Sequence, residues 1–256
     1  MTLPSVLVFA GLDPSGGAGL AADVLAIAAQ GAHALPVATA LTAQDNNRVH
    51  GVAPVDTAFV LRQADALLDR CAIKAVKIGI PGSGANARAI AAVVRQLRAR
   101  DPALPVVLDP VLASGHGDAL GEGDPLGALG VLLALATIAL PNAPEARALD
   151  RLSCAPCAQL LVTGGHDDGP VVCNDWYVQG RLVRSWRRPR LAGAFHGSGC
   201  TLAAALAGRL ALGEGMEQAL DSAQAYCHRT LAESFAIAPG QRIPRRCFIS
   251  PSSPIP

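Results

Sequence analysis

Residues 5–31 read SVLVFAGLDPSGGAGLAADVLAIAAQG, and the fold is set out there in miniature. Ser5–Ala10 is a short continuous apolar run, the pattern of a strand covered on both faces. A glycine-rich turn, Gly11 to Gly19, follows. Gly19 to Gln30 then carry small and apolar residues at helical spacing, and Gly31 closes the helix.

The same alternation runs outward along the chain. Strands are predicted over 35–41, 75–80, 106–108, 137–140 and 160–162. Helices are predicted over 56–70 and 85–100, in the apolar segment before Pro141, and in a short piece capped by Asn142. Residues 170–187 read as strands with turns at Asn174-Asp175 and Gln179-Gly180. Gly197 opens a long helix to about Leu212, and a last helix spans Met216 to Phe235. Such alternation predicts an α/β sandwich with a mostly parallel sheet. Residues 1–240 are expected to form one domain, and 241–256, rich in Pro, Ser and Arg, a loosely held tail.

Composition narrows the function classes. The 256 residues are 51% hydrophobic and 16% charged, which excludes a disordered chain, and a net charge of +1 offers no footprint for nucleic acid or an acidic membrane. Mean hydropathy is +0.34. The longest apolar run, Ala128 to Leu140, is still short of the ~18–20 residues that span a bilayer. The N-terminus carries no basic segment or small-residue cleavage site, so a soluble cytoplasmic protein is expected. Seven cysteines, an odd number, are expected as reduced thiols, with Cys154-Ala-Pro-Cys157 a plain loop or helix start. The Arg184–Arg190 run is read as a solvated strand edge and His166 as non-catalytic.

Open α/β sheets bind ligands at the carboxyl ends of their strands. The Gly11–Gly19 loop opens a helix carrying Asp23, where backbone amides favour an anion. Gln44 follows the strand at 35–41 and offers an acceptor and two donors suited to an aminopyrimidine edge. Asp109 and Glu145 lie after neighbouring strands and together suit Mg²⁺. Gly197-Ser198-Gly199-Cys200 begins a helix with successive small residues, an anion hole. Cys200, in its first turn, is expected to have a lowered thiol pKa and to serve as a base.

The ordered motifs Gly11–Asp23, Thr39–Gln44, Lys77–Gly79, Leu108–Val111, Pro141–Glu145 and His196–Thr201 resemble the hydroxymethylpyrimidine/phosphomethylpyrimidine kinases of the ribokinase-like superfamily. The resemblance covers residues 5 to about 240. It implies a three-layer α/β/α fold, ATP with Mg²⁺, and stepwise phosphorylation of 4-amino-5-hydroxymethyl-2-methylpyrimidine to the mono- and diphosphate. It places Gln44, Asp23, Gly11 and Ile80 at the pyrimidine and Asn142, Thr163 and Gly165 at the nucleotide. Asp109 and Glu145 fall in its metal–phosphate region, and Gly197 to Cys200 in its anion hole. A homodimer is also implied. Thr163 stands where many members carry Lys, Ile80 where some have Met, and Ser198 replaces the usual Thr. A pyridoxal kinase and a silent pyrimidine-binding protein are the competing readings, and Gln44 and the intact Asp109, Glu145 and Gly-Ser-Gly-Cys set weigh against them.

Overall fold

The computed structural model describes residues 2–113, 117, 118, 120, 121, 124–150 and 157–248. The strands are β1 (Ser5–Leu12), β2 (His33–Gln44), β3 (Val49–Pro54), β4 (Ile73–Ile78), β5 (Val106–Leu108), β6 (Ile138–Ala139), β7 (Gln159–Thr163), β8 (Val171–Val178) and β9 (Arg181–Pro189). The helices are α1 (Gly19–Ala29), α2 (Thr57–Leu68), α3 (Gly84–Arg100), α4 (Pro125–Leu133), α5 (Ala143–Leu149), α6 (Ser198–Ala211) and α7 (Met216–Ala232).

All nine strands share one sheet in the order β3-β2-β1-β4-β5-β6-β7-β8-β9. The six from β2 to β7 run parallel, β3 at one edge and β8 near the other run opposite to them, and β9 pairs antiparallel with β8. The side-chain period of a strand sorts β1 into two cores. Val6, Val8 and Ala10 join the α1, α6 and α7 layer. Leu7 and Phe9 join the layer of α2, α3 and α4. The fold is the three-layer α/β/α sandwich that the resemblance implies. Helix α6 fits closely because it is built of small residues: Ala203, Ala204, Ala205 and Ala207 are fully buried, and a Cβ on Gly208 would come within 3.1 Å of Gln30.

The structure corrects the sequence reading in three places. Strand β2 continues to Gln44 and pairs with β3, so Gln44 ends the strand rather than following it, on a hairpin. Strand β8 runs straight through Asn174-Asp175, because those residues pair on one side with β7 and on the other with β9. The turn at Gln179-Gly180 is present, with both residues at positive φ as the right-handed strand twist favours.

The third correction concerns the tail. Residues 241–248 are held against the domain rather than loose: Ile243 and Arg246 are buried, Phe235 and Ile243 exchange backbone bonds, and Phe248 packs edge-on against Tyr226. Residues 249–256 lie outside the described residues. So does Cys154, whereas Cys157 is a buried thiol donating to the carbonyls of Ala136 and Gln159. Among the described residues no helix is long and apolar enough to cross a membrane.

Candidate active site

The strand order reverses between β1 and β4, which places a crevice at their carboxyl ends. Gly11 and Ile80 meet in its wall. A Cβ on Gly11 would lie 2.6 Å from Ile80 Cδ1, so only glycine lets the isoleucine sit there. Thr39 Oγ1 fixes the far side by donating to the Ile80 carbonyl at 2.6 Å. Gln44 is tethered to the same rim: its Nε2 donates to Thr42 Oγ1 at 2.7 Å, and Thr42 Oγ1 donates to the Leu12 carbonyl at 2.9 Å.

Two glycine-rich loops close the crevice. The first turns on Asp13, which accepts bonds from Ser15 N (2.8 Å), Ser15 Oγ (2.9 Å) and Ala18 N (2.7 Å) and lies 2.8 Å from His196 Nε2. The anion expected at the start of α1 is therefore the protein's own carboxylate. These bonds hold Asp13 below the usual carboxylate range despite burial, which acts the other way. The second loop ends at Gly197, the N-cap of α6, with φ +75° and no side-chain cap. A side chain there would overlap the Gly17 carbonyl, so at this point only glycine lets the two loops approach, beside the Asp13–His196 contact. The first-turn amides of α6 are left with no side-chain acceptor, an open anion site of about half a positive charge.

Beneath the loops lies a buried charge cluster. Lys77 is fully buried, 2.9 Å from Asp23 Oδ2 and 3.8 Å from Asp109 Oδ2. Arg246 enters from the C-terminal segment, donating to Thr201 Oγ1 (2.9 Å) and to the carbonyls of Gly17 (2.6 Å) and Gly197 (3.3 Å). It thereby ties the two glycine loops together. Asp23 is 0% exposed, so the structure places it under the site, facing Lys77, rather than on the substrate. Burial pushes Asp23 up to about 6, against the pull of Lys77. The start of α6 stands over Asp109: a Cβ on Gly199 would lie 3.7 Å from Asp109 Oδ1. Cys200 follows Gly199 in the first turn of α6, on the same side of the cluster as Asp109. Its thiol is not lowered as the helix position suggested; burial, with Asp109 and Asp23 beside it, pushes the thiol up to about 12.

At the next strand ends, Asn142 caps α5 in a reciprocal box with Glu145, Glu145 N donating to Asn142 Oδ1 at 2.9 Å and Asn142 N to Glu145 Oε2 at 2.8 Å. Thr163 bridges to Asn142 and donates its N–H to the Pro141 carbonyl, while Gly165 is exposed. Burial, with Asp109 adding, pushes Glu145 up to about 7. Between about 4.5 and 7 the folded chain thus binds a proton that the unfolded chain has released, so this group's contribution to stability falls as pH rises. Glu145→Gln keeps the box, and is expected to flatten the fall in melting temperature between pH 5 and 8. An unchanged slope in thermal melts would refute this.

Comparison with known proteins fits this geometry. The family model described as phosphomethylpyrimidine kinase matches residues 13–244. The chain belongs to that family. This phosphomethylpyrimidine kinase family member is a phosphotransferase. It is 35% identical over 257 residues to the hydroxymethylpyrimidine/phosphomethylpyrimidine kinase of Streptomyces coelicolor, covering 94% of this chain and 93% of that one. It is 34% identical over 254 residues to the thiamine biosynthesis multifunctional protein ThiED of Corynebacterium efficiens, covering 93% of this chain but only 34% of that larger protein. A phosphomethylpyrimidine kinase structure from Clostridium difficile superposes with a TM-score of 0.73 at 26% identity, covering 89% of this chain and 98% of that one. The Bacillus subtilis pyridoxal kinase in its ADP complex gives 0.83 at 22% identity, covering 96% and 98%, a likeness of fold.

Sequence reading of this family member missed the roles of Asp13, His196, Lys77 and Arg246. Lys77 was visible only as part of a motif, inside a strand otherwise read as apolar. The signal for it was a charge in a run buried on both faces, which has to find a partner. Arg246 carried no signal, since it lies in a segment without periodicity.

Proposed function

We propose that this kinase transfers the γ-phosphoryl group of ATP to 4-amino-5-hydroxymethyl-2-methylpyrimidine and then phosphorylates the monophosphate to the diphosphate. One observation carries the reading. The Gly11–Ile80 wall with Gln44, the uncapped start of α6 and the carboxylate of Asp109 all converge at one set of strand ends. Gln44 would orient the aminopyrimidine, Gly11 and Ile80 would flank its ring, and the amides of Gly197 to Cys200 would receive the phosphoryl group in flight. Asn142, Thr163 and Gly165 would line the nucleotide.

Asp109 and Glu145 would hold Mg²⁺. The fit is good: Asp109 Oδ2 is buried with no hydrogen-bond partner, and both groups offer the hard oxygen that this ion takes. Among the described residues no third His, Cys, Asp or Glu completes a set, which suits an ion that keeps water and shares phosphate oxygens. When bound, Mg²⁺ would neutralise phosphate charge. A cytoplasmic homodimer belongs to the same proposal, and sedimentation velocity reads the oligomeric state.

The deciding assay resolves products by mass after incubation with ATP, Mg²⁺ and either the pyrimidine or pyridoxal. Pyrimidine mono- and diphosphate are expected; turnover of pyridoxal instead would overturn the reading. The same assay tests Cys200. With its thiol held protonated, Cys200→Ala is expected to slow both steps alike. A loss confined to the first step, whose acceptor is a neutral hydroxymethyl group, would restore Cys200 as the base.

A further inference from the structure

A cavity of about 390 Å³ lies between the β8–β9 hairpin and helices α6 and α7. Its walls include Trp186, Arg188, Ser198, Cys227 and His228, and none of the lining residues is an Asp or Glu. It reaches from the start of α6, through Ser198, to the loop after β7, through Gly165. Its size is that of a small-ligand site.

The strand register aims Arg188 into this space. Thr163 pairs with Asn174, Asn174 with Trp186, and Val172 with Arg188, so these side chains share one face of the sheet. The arginines of the Arg184–Arg190 run have separate employment. Arg184 is paired with Glu217 and Asp221 at 2.8 Å each. Arg190 donates to the carbonyls of Gly164, Gly165 and Gly169, shaping the loop at the cavity mouth. Arg188 is different: its Nε is buried without a hydrogen-bond partner, and among the described residues no carboxylate pairs with it. Its titratable neighbours carry no compensating negative charge. Burial pushes the Cys227 thiol up to about 12, and burial with Arg188 itself lowers His228. Arg188 is half-buried, the cavity is cationic, and a buried guanidinium Nε–H without an acceptor is an unmet demand for an anion.

We propose that Arg188 binds the polyphosphate of the nucleotide donor and so sets the affinity for it. The inference rests on the kinase reading above and adds a residue that the strand-end site does not contain. Guanidinium geometry suits the task, since its planar donors match phosphate oxygens in pairs. The position is also apt, because the same cavity ends at Ser198, where the uncapped amides of α6 begin.

The test is binding of ADP and of adenosine, read by tryptophan fluorescence. Trp186 is in the cavity wall and Trp176 is 6.5 Å from it, and they are the only two tryptophans. Arg188→Gln is expected to weaken ADP by about 10- to 100-fold, the range for one charge-assisted contact, and to leave adenosine unchanged. Arg188→Lys is expected to recover part of the loss, with circular dichroism melts confirming that both variants fold. An ADP affinity within twofold of the parent would overturn the proposal. Equal weakening of ADP and adenosine would also overturn it, by placing Arg188 at the nucleoside. Neither titration needs an acceptor substrate, so a failure of the pyrimidine reading would show in the product assay and leave this result intact.

Discussion

Lys77→Met is expected to lower the unfolding free energy by about 3–5 kcal/mol, the usual range for removing one partner of a buried ion pair. The cation has no solvent to fall back on. Lys77 is 0% exposed, holds Asp23 at 2.9 Å and lies 3.8 Å from Asp109. Without it, two carboxylates share an apolar site with Oδ1 of Asp23 and Oδ2 of Asp109 already lacking hydrogen bonds. Asp23, pushed up to about 6, takes a proton more readily than an ordinary aspartate. Its folded pKa lies above its unfolded one, so the variant loses more at pH 8, where both acids are ionised, than at pH 5. Urea denaturation at the two pH values measures the effect. Adding Asp23→Asn should restore a large part of it, because the uncompensated charge is then gone. A loss below 1 kcal/mol at both pH values would show that the cluster does not depend on the lysine.

Gly197→Ala is expected to reduce phosphoryl transfer by about 10²–10³-fold, as does removing a donor that stabilises charge in a transition state. The backbone at Gly197 has φ +75°, a region costly for residues with a Cβ. The added methyl would also meet the Gly17 carbonyl and come within 2.9 Å of Ala18 Cα. Both obstacles are backbone atoms, which cannot swing aside as a flexible side chain can. The helix start has to move, and with it the amides that the proposed function assigns to the phosphoryl group. Steady-state turnover alongside a thermal melt separates this from unfolding. Retention of more than a tenth of the parent activity in a folded variant would remove the α6 start from the chemistry.

Much of the site was legible because it is written locally. Asn142 and Glu145 stand three apart and form the capping box that their spacing dictates. The Gly197–Cys200 segment begins a helix where successive small residues said it should. The error at Cys200 has a clear cause. A helix start lowers a thiol that meets water, whereas here burial, with Asp109 beside it, outweighs both the dipole and the nearby Lys77 cation. Asp23 was misplaced because a sequence does not say whether a carboxylate next to a glycine loop looks up into the crevice or down into the core. The tail was misread for a related reason: residues 241–248 have no period to announce burial, and are held by Tyr226, Phe235 and the two glycine loops.

The sequence by itself determined the order of the parallel strands and the helices, and the glycine-rich turns, since apolar period, capping and backbone freedom act within a few residues. Only the tertiary structure decided which charges meet. Lys77 finds Asp23 across 54 residues, and Arg246 reaches Gly17 across 229. Such pairs have no period or spacing to betray them. They form because a buried charge must find its opposite wherever the packed chain brings one near.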